Sequence, residues 1–379
     1  MTHTVIIIGS GFAAYQLVKT IRRMSTDIAI QVITADTGDV YNKPDLSHVF
    51  SRHQTANDLV TQTGEEFAAE HGVELIKGVV VTNIDTTQQI VVAGGAEYPY
   101  SKLVLATGAN SFIPSMLGDG VERVHTLNSL REYQSAQDAL MRAEKVLLIG
   151  GGIIGVELAM DLATSGKKVM LVEPSDHLMS SILPSFVSVE LEAQLRSLGV
   201  EVYTRSVVER IDSNGTNSLV ELNNGQSLGV DEVISTAGLR PNISLAKQLG
   251  ADTNRGVCVD HRMMTSIADI YALGDCAEMN GRVMAYLQPA IMAANAIAQD
   301  IVSGQGELRL PAMMVKIKTP NYPIQIGGDV SRVDNWQASI SASGLSAKGY
   351  DHGGKMMGFV VTNEAVSQAF PLLRELQTQ

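Results

Sequence analysis

The stretch "GGGIIGVELA" at residues 150–159 comes directly after the apolar run "VLLI" at 146–149. A short run of this kind reads as a buried strand, and the residues after it read as a glycine turn opening a helix. The three glycines have separate duties. Gly150 permits a tight turn, Gly152 lets backbone approach a phosphate, and Gly155 lets the helix pack close on the strand. A helix is expected over 153–163, ended by Ser165 and Gly166, with a second strand over 169–172 and Glu173 at its tip. A carboxylate there accepts hydrogen bonds from a free ribose 2′-hydroxyl and repels a 2′-phosphate, so NADH is expected over NADPH.

Outward toward the N-terminus the pattern recurs. "GSGFAA" at 9–14 comes after "VIII" at 5–8, and Leu17, Val18 and Ile21 recur at helical spacing within 15–23. A strand is expected over 28–33, with Asp36 just past its end as the ribose-binding acid. Gly9, Gly11 and Ala14 take the three glycine roles. One glycine fingerprint has many structural uses. Two copies, each with a strand before it and a helix, strand and acid after it, argue against accident. Two dinucleotide sites in one chain point to a relay in which one loop holds FAD and the other NADH. Flavin can take a hydride and release electrons singly, which side chains cannot do.

The bulk numbers fit. At 379 residues the chain exceeds one compact core, so two or three domains are expected, and apolar residues at 45% suffice to fill them. No apolar run has the length of a membrane span, and the run at 5–8 stops at Gly9, so no signal peptide is expected. Cys258 and Cys276 make neither a disulfide framework nor a metal cluster, which fits a reducing cytoplasm. The net charge of −12 argues against a nucleic-acid partner. Residues 309–379 carry seven Lys/Arg against five Asp/Glu, a net of +2, leaving −14 on the remainder.

Three more segments, "LVLATGA" at 103–109, "ISTAGLRPN" at 234–242 and "IYALGDCAE" at 270–278, complete a pattern. Together with the glycine loops it resembles the pyridine-nucleotide–disulfide oxidoreductase superfamily of FAD enzymes. The resemblance implies an α/β fold with two Rossmann-like dinucleotide-binding domains. The FAD domain, 1–112 and 244–308, would be split by an inserted NAD(H) domain, 113–243, and a small α+β C-terminal domain, 309–379, would close the chain. It places FAD on the N-terminal loop and on Ala106, Thr107, Gly108, Gly274 and Asp275, the last on ribityl hydroxyls or pyrophosphate. NADH falls to the middle loop and Gly238.

"YNKPDLSH" at 41–48 and "VKIKTP" at 315–320 resemble the ferredoxin-reductase and rubredoxin-reductase branch. The resemblance sets Lys43 and Pro44 along FAD and brings Lys318 to the isoalloxazine ring, with Lys316 the competing lysine. His48 stands where many branch members have lysine. Lys43 and Lys318 would offset the charge of reduced flavin; the alternative is ordinary surface lysines. Glu157 would sit where nicotinamide docks, binding its carboxamide or pairing with Lys43, or else would serve the helix dipole. The implied activity is that of an FAD-dependent NADH oxidoreductase. Its partner would be a rubredoxin-type electron carrier, flavorubredoxin in nitric oxide detoxification or a stand-alone rubredoxin or ferredoxin. A slow NADH-sensing flavoprotein is the alternative of another class.

The Cys-x4-Cys and Cys-x-x-Cys pairs of disulfide reductases are absent, so electrons are expected to leave the flavin directly. Cys258 reads as core, and Cys276 as a small buried group or a neighbour of FAD. The eight histidines show no metal spacing. Pro289 is expected to start the helix after the "GD" segment, with N–H groups near Gln288 and Ala290 facing the flavin. The tail reads as mixed strands separated by glycine pairs at 327–328 and 353–354, closed by a helix over 364–376. A monomer is expected. The basic tail, with Lys316, Lys348 and Lys355, is the natural guide for an acidic carrier.

Overall fold

The computed structural model describes residues 4–283, 285–319 and 322–378. Pro320, the last residue of the "VKIKTP" segment, lies outside them. The chain divides into two compact units. One comprises Met1–Lys43, Ala56–Asn110 and Leu239–Leu310; the other comprises Pro44–Thr55, Ser111–Gly238 and Pro311–Gln379.

The first unit is built on a five-stranded parallel sheet in the order Ile270–Ala272, Lys102–Leu105, Thr4–Ile8, Ala29–Ile33, Glu74–Ile76. Its central strand is apolar at every position from Val5 to Ile8, as a strand covered on both faces requires. Helices Phe12–Met24 and Leu287–Ser303 pack on one another beside it. The second helix buries Ala290, Ala293, Ala294, Ala296 and Ala298, small side chains that allow the close approach, together with Ile297. It begins two residues before Pro289, which is tolerated because first-turn N–H groups have no intrahelical partner.

The second unit repeats the motif with a four-stranded parallel sheet, ordered Glu201–Thr204, Lys168–Glu173, Lys145–Ile149, Glu232–Ser235. It also holds the C-terminal sheet of five strands, Met314–Ile317, Ile324–Gly328, Met356–Thr362, Gly344–Tyr350 and Asn335–Ser341, antiparallel throughout rather than mixed. Gly327 and Gly328 lie inside a strand, and glycine is needed at 327 because a side chain there would overlap the Phe359 ring. Gly353 and Gly354 do form a turn, closed by Asp351 and Lys355. The closing helix is split into a 3-10 segment, Asn363–Gln368, and an α-helix, Ala369–Gln377. Pro371 is the reason: its ring conflicts with the carbonyl of residue 367 and it offers no N–H to it. No helix among the described residues is long and apolar enough to cross a membrane.

Candidate functional site

The first glycine loop is shaped by close approach. Gly9 has φ +114°, and a Cβ there would overlap the Ala106 carbonyl oxygen. Ala106 N–H in turn bonds Ile8, so "LVLATGA" is drawn tight against the loop. Gly11 is the N-cap of helix Phe12–Met24, and the space where its Cβ would stand is open. That helix has no side-chain cap and no acid in its first turn. Gly274, at φ +77°, lets the "GD" turn approach Ala13 to within 2.8 Å of a would-be Cβ, which sets Asp275 in this unit beside the helix start. Lys43 Nζ lies 3.4 Å from Asp275 Oδ2, both half-buried. Thr107 Oγ1 donates to Asn242 O at 2.8 Å, and Gly108, at φ +65°, accepts from Asn242 N. Asp36 is half-buried, and its carboxylate accepts the local Thr37 N–H at 2.9 Å.

The second loop is more tightly held. Gly150 has φ +109°, and a Cβ there would stand 2.7 Å from Thr236 O. At Gly155 a Cβ would overlap the Gly150 carbonyl oxygen and lie 2.8 Å from Thr236 Oγ1. Gly152 caps helix Ile153–Thr164 with open space around it, again with no side-chain cap and no first-turn acid. Glu173 is buried, and its two oxygens accept from Gly151 N at 2.7 Å and Ser175 N at 2.9 Å. A carboxylate has about four acceptor sites, so capacity for ribose hydroxyls remains. Gly238, at φ +110°, accepts from Phe112 N.

Elsewhere the chain caps helices with side chains. Thr63 and Glu66 form a capping box on Gly64–His71, and Ser129 caps Leu130–Arg142. Helices Ser185–Ser197 and Leu287–Ser303 also start bare, so an uncapped start alone is no site. The glycine loops add the open Gly11 and Gly152 positions after a buried parallel strand, and this combination fits a dinucleotide pyrophosphate at each loop.

Glu157 does not serve the helix dipole. It is the fifth residue of its helix, only 5% exposed, and accepts from Ser47 Oγ at 2.8 Å and from Lys318 N at 3.0 Å. Lys318 Nζ donates to Pro44 O at 2.9 Å. Lys316 points elsewhere, its Nζ 5.9 Å from the Phe370 ring centroid. Burial, assisted by the Lys318 charge, pushes the His48 imidazole below its ordinary pKa despite the opposing Glu157 and Asp161 carboxylates. The sequence reading missed Ser47 and Asp161. Asp161, 4% exposed, accepts from Phe50 N at 2.8 Å and from Ser51 N and Oγ. The legible signal was two acids four residues apart in an otherwise apolar helix.

Cys276 is fully buried, its Sγ 3.2 Å from Leu105 O, and burial pushes its thiol pKa up. Cys258 is half-buried rather than core, because its strand, Val257–Val259, is short and paired to Ala277–Met279 on one side. Its thiol is also pushed up, by burial and by Glu278 and Asp252. Neither is a poised thiolate. Among the described residues no group of three His, Cys, Asp or Glu is arranged to hold a metal.

Comparison with known proteins agrees with this geometry. Residues 3–299 match the family described as pyridine nucleotide-disulphide oxidoreductase, and residues 307–376 match the rubredoxin binding C-terminal domain. The chain is 53% identical to "Nitric oxide reductase FlRd-NAD(+) reductase" of Vibrio vulnificus (strain CMCP6), over 99% of this chain and 98% of that one. It is 49% identical to the protein of the same name from Aliivibrio fischeri, over the whole of both. Among solved structures, the ferredoxin reductase for the CYP199A2 system of Rhodopseudomonas palustris superposes with a TM-score of 0.89 at 25% identity, covering 97% of this chain and 93% of that one. A twofold glycine-loop architecture and a match over most of its length place this chain in the pyridine nucleotide-disulphide oxidoreductase family, with a rubredoxin-binding domain at its C-terminal end.

Proposed function

We propose that this chain is an FAD-dependent NADH oxidoreductase that delivers electrons to the rubredoxin-type iron centre of a flavorubredoxin, in nitric oxide detoxification. The observation that carries the reading is the pair of bare helix starts, Phe12 after Gly11 and Ile153 after Gly152, each behind its own parallel strand. Bound flavin supplies what the side chains lack, accepting a hydride and returning electrons one at a time.

The residues divide by task. Gly9, Gly11 and Ala14 bind the FAD pyrophosphate, Asp36 its ribose, and Ala106, Thr107, Gly108, Gly274 and Asp275 the rest of its length. Gly150, Gly152, Gly155, Glu173 and Gly238 bind NADH. Lys43, Pro44 and Lys318 serve the flavin ring, and Glu157 orients the nicotinamide. No proton donor or acceptor is required, since alignment of the two rings supplies the rate. The assigned domains are 1–112 with 244–308 for FAD, 113–243 for NADH and 309–379 for the carrier. The unpaired thiols Cys258 and Cys276 favour a cytoplasmic location.

Purified protein is expected to be yellow, to bleach with NADH under anaerobic conditions, and to recover its colour on adding an isolated rubredoxin domain. Colourless protein that takes up no FAD would refute the reading. The docking surface is tested by charge reversal. Lys316→Glu and Lys355→Glu should raise the KM for carrier about 3- to 10-fold at low salt and leave that for NADH alone. Lys348→Glu should do less, because Lys348 already pairs with Glu375 at 2.8 Å.

A further inference from the structure

Helix Ile153–Thr164 begins at the second glycine loop and, up to its last residue, is apolar except for two acids one turn apart, Glu157 and Asp161. Both are buried, and among the described residues neither meets a basic side chain at ion-pair distance. Their acceptors are filled instead by the segment just after Lys43. Glu157 takes Ser47 Oγ at 2.8 Å, and Asp161 takes Phe50 N at 2.8 Å together with Ser51 N and Oγ. Glu157 also takes Lys318 N at 3.0 Å, while Lys318 Nζ holds Pro44 O at 2.9 Å. The two carboxylates thus grip one short segment at two points along its length, and the first of them grips the Lys318 strand end as well.

We propose that Asp161 is a positioning residue for hydride transfer, acting through the segment 44–51. This rests on the functional reading above, in which Pro44, Lys318 and Glu157 serve the reacting rings. Asp161 is assigned to no cofactor. It fixes Phe50 and Ser51, and these hold the 3-10 turn Lys43–His48 from its far end, so that Ser47 meets Glu157 and Pro44 O meets Lys318. Two carboxyl groups buried one helical turn apart are retained only if backbone N–H and hydroxyl donors satisfy them. With Asp161 removed, the far end of the segment loses its anchor and the Pro44–Lys318 contact loosens. Displacement by about 1 Å at such a distance is enough to cost on the order of 100-fold in rate. The NADH contacts at Gly150, Gly152 and Glu173 lie at the other end of the helix and are left alone.

The test uses the full-length FAD-loaded protein, reduced by NADH in an anaerobic stopped-flow instrument. Asp161→Ala is expected to lower the limiting rate of flavin bleaching about 30- to 100-fold. Asp161→Asn, which keeps one acceptor oxygen, is expected to restore part of it, to about 10-fold below the parent. The NADH dissociation constant should stay within about 2-fold and FAD content should be unchanged, a split that a general loss of structure does not produce. Ser51→Ala, which leaves the two backbone bonds, should fall within about 2-fold. If Asp161→Ala does not fold, Asp161→Asn and Ser47→Ala carry the same test, each with a lowered limiting rate at constant NADH affinity. Bleaching at the parental rate in Asp161→Asn, or a loss confined to NADH affinity, would overturn the positioning role alone. Parent protein whose bound flavin NADH fails to bleach would overturn the functional reading and this role with it.

Discussion

The two glycine loops share a sequence pattern and differ in how it is enforced. In the first, the third position is Ala14, whose methyl group is buried without conflict. In the second, Gly155 has no room for a methyl, because its own loop carbonyl and Thr236 Oγ1 occupy the space. The residue just after the first glycine differs as well. Ser10 Oγ meets the Thr34 hydroxyl at 2.9 Å, a neutral hydrogen bond, whereas Gly151 N donates to the ionisable Glu173 at 2.7 Å. In the first loop the acid, Asp36, is left to its own turn. In the second loop the acid is part of the loop. One fingerprint therefore encodes a loop closed by backbone contact with Ala106, and another locked from below by a carboxylate.

The sharpest way to break the comparison is to exchange the third residues. Gly155→Ala should cost about 3 kcal/mol, the upper end of the usual overpacking penalty, since the clash is with backbone and not with a flexible side-chain end. NADH-dependent flavin reduction should fall at least about 100-fold while FAD is retained. Ala14→Gly in the first loop should cost about 1 kcal/mol through helix propensity and leave NADH kinetics unchanged. Equal losses in the two variants, measured by thermal melting and NADH titration, would show that the loops are packed alike after all.

The next effect concerns the acid. Glu173→Gln keeps the shape but turns an amide N–H toward one of the two N–H groups, Gly151 or Ser175, that the carboxylate now accepts. An unsatisfied buried donor costs about 1–3 kcal/mol, so NADH affinity should weaken about 10-fold or more. Discrimination against NADPH should shrink less than a simple loss of ribose contact predicts, because the loop itself is disturbed. Asp36→Asn, which replaces one of the carboxylate's two acceptor oxygens with a donor, should weaken FAD affinity about 3- to 10-fold and leave the NADH constant alone. If Glu173→Gln binds NADH as tightly as the parent, the carboxylate is not what locks the loop.

Much of this was readable from residues in a row. Gly9 and Gly150, each behind four apolar residues, marked the two parallel sheets and the two candidate ligand loops. The acids at the strand ends were visible for the same reason: the chain order that makes the motif also makes the site. What escaped is what the chain joins across distance. Ser47 reaches Glu157 across 110 residues, Phe50 reaches Asp161 across 111, and Lys318 reaches Glu157 across 161. No local period carries such pairings. Hence Glu157 could be read as a nicotinamide contact, a Lys43 partner or a dipole partner but not as the acceptor of Ser47, and Asp161 did not register. Local chemistry was also overruled in detail. Pro371 interrupts the expected closing helix, and Gly327, read as a separator, lies within a strand where the Phe359 ring leaves no room for a side chain.

The smallest effect sharpens the comparison at the residue just after the first glycine. Thr34→Val is isosteric and removes the hydroxyl that meets Ser10 Oγ and accepts from Asp36 N at 3.2 Å. Ser10 is partly buried and can turn its own hydroxyl to solvent. Only the Asp36 N–H is then left short of a partner. A neutral hydrogen bond contributes about 0.5–1.5 kcal/mol against about 1.5–3 for one to a charged group. The first loop should therefore lose about half of what Glu173→Gln takes from the second, read as FAD affinity weakened about 2- to 5-fold with the NADH constant untouched. An FAD loss as large as the NADH loss of Glu173→Gln would mean that a hydroxyl pair holds its loop as firmly as a carboxylate. The contrast between the two loops would then lie in their third residue alone.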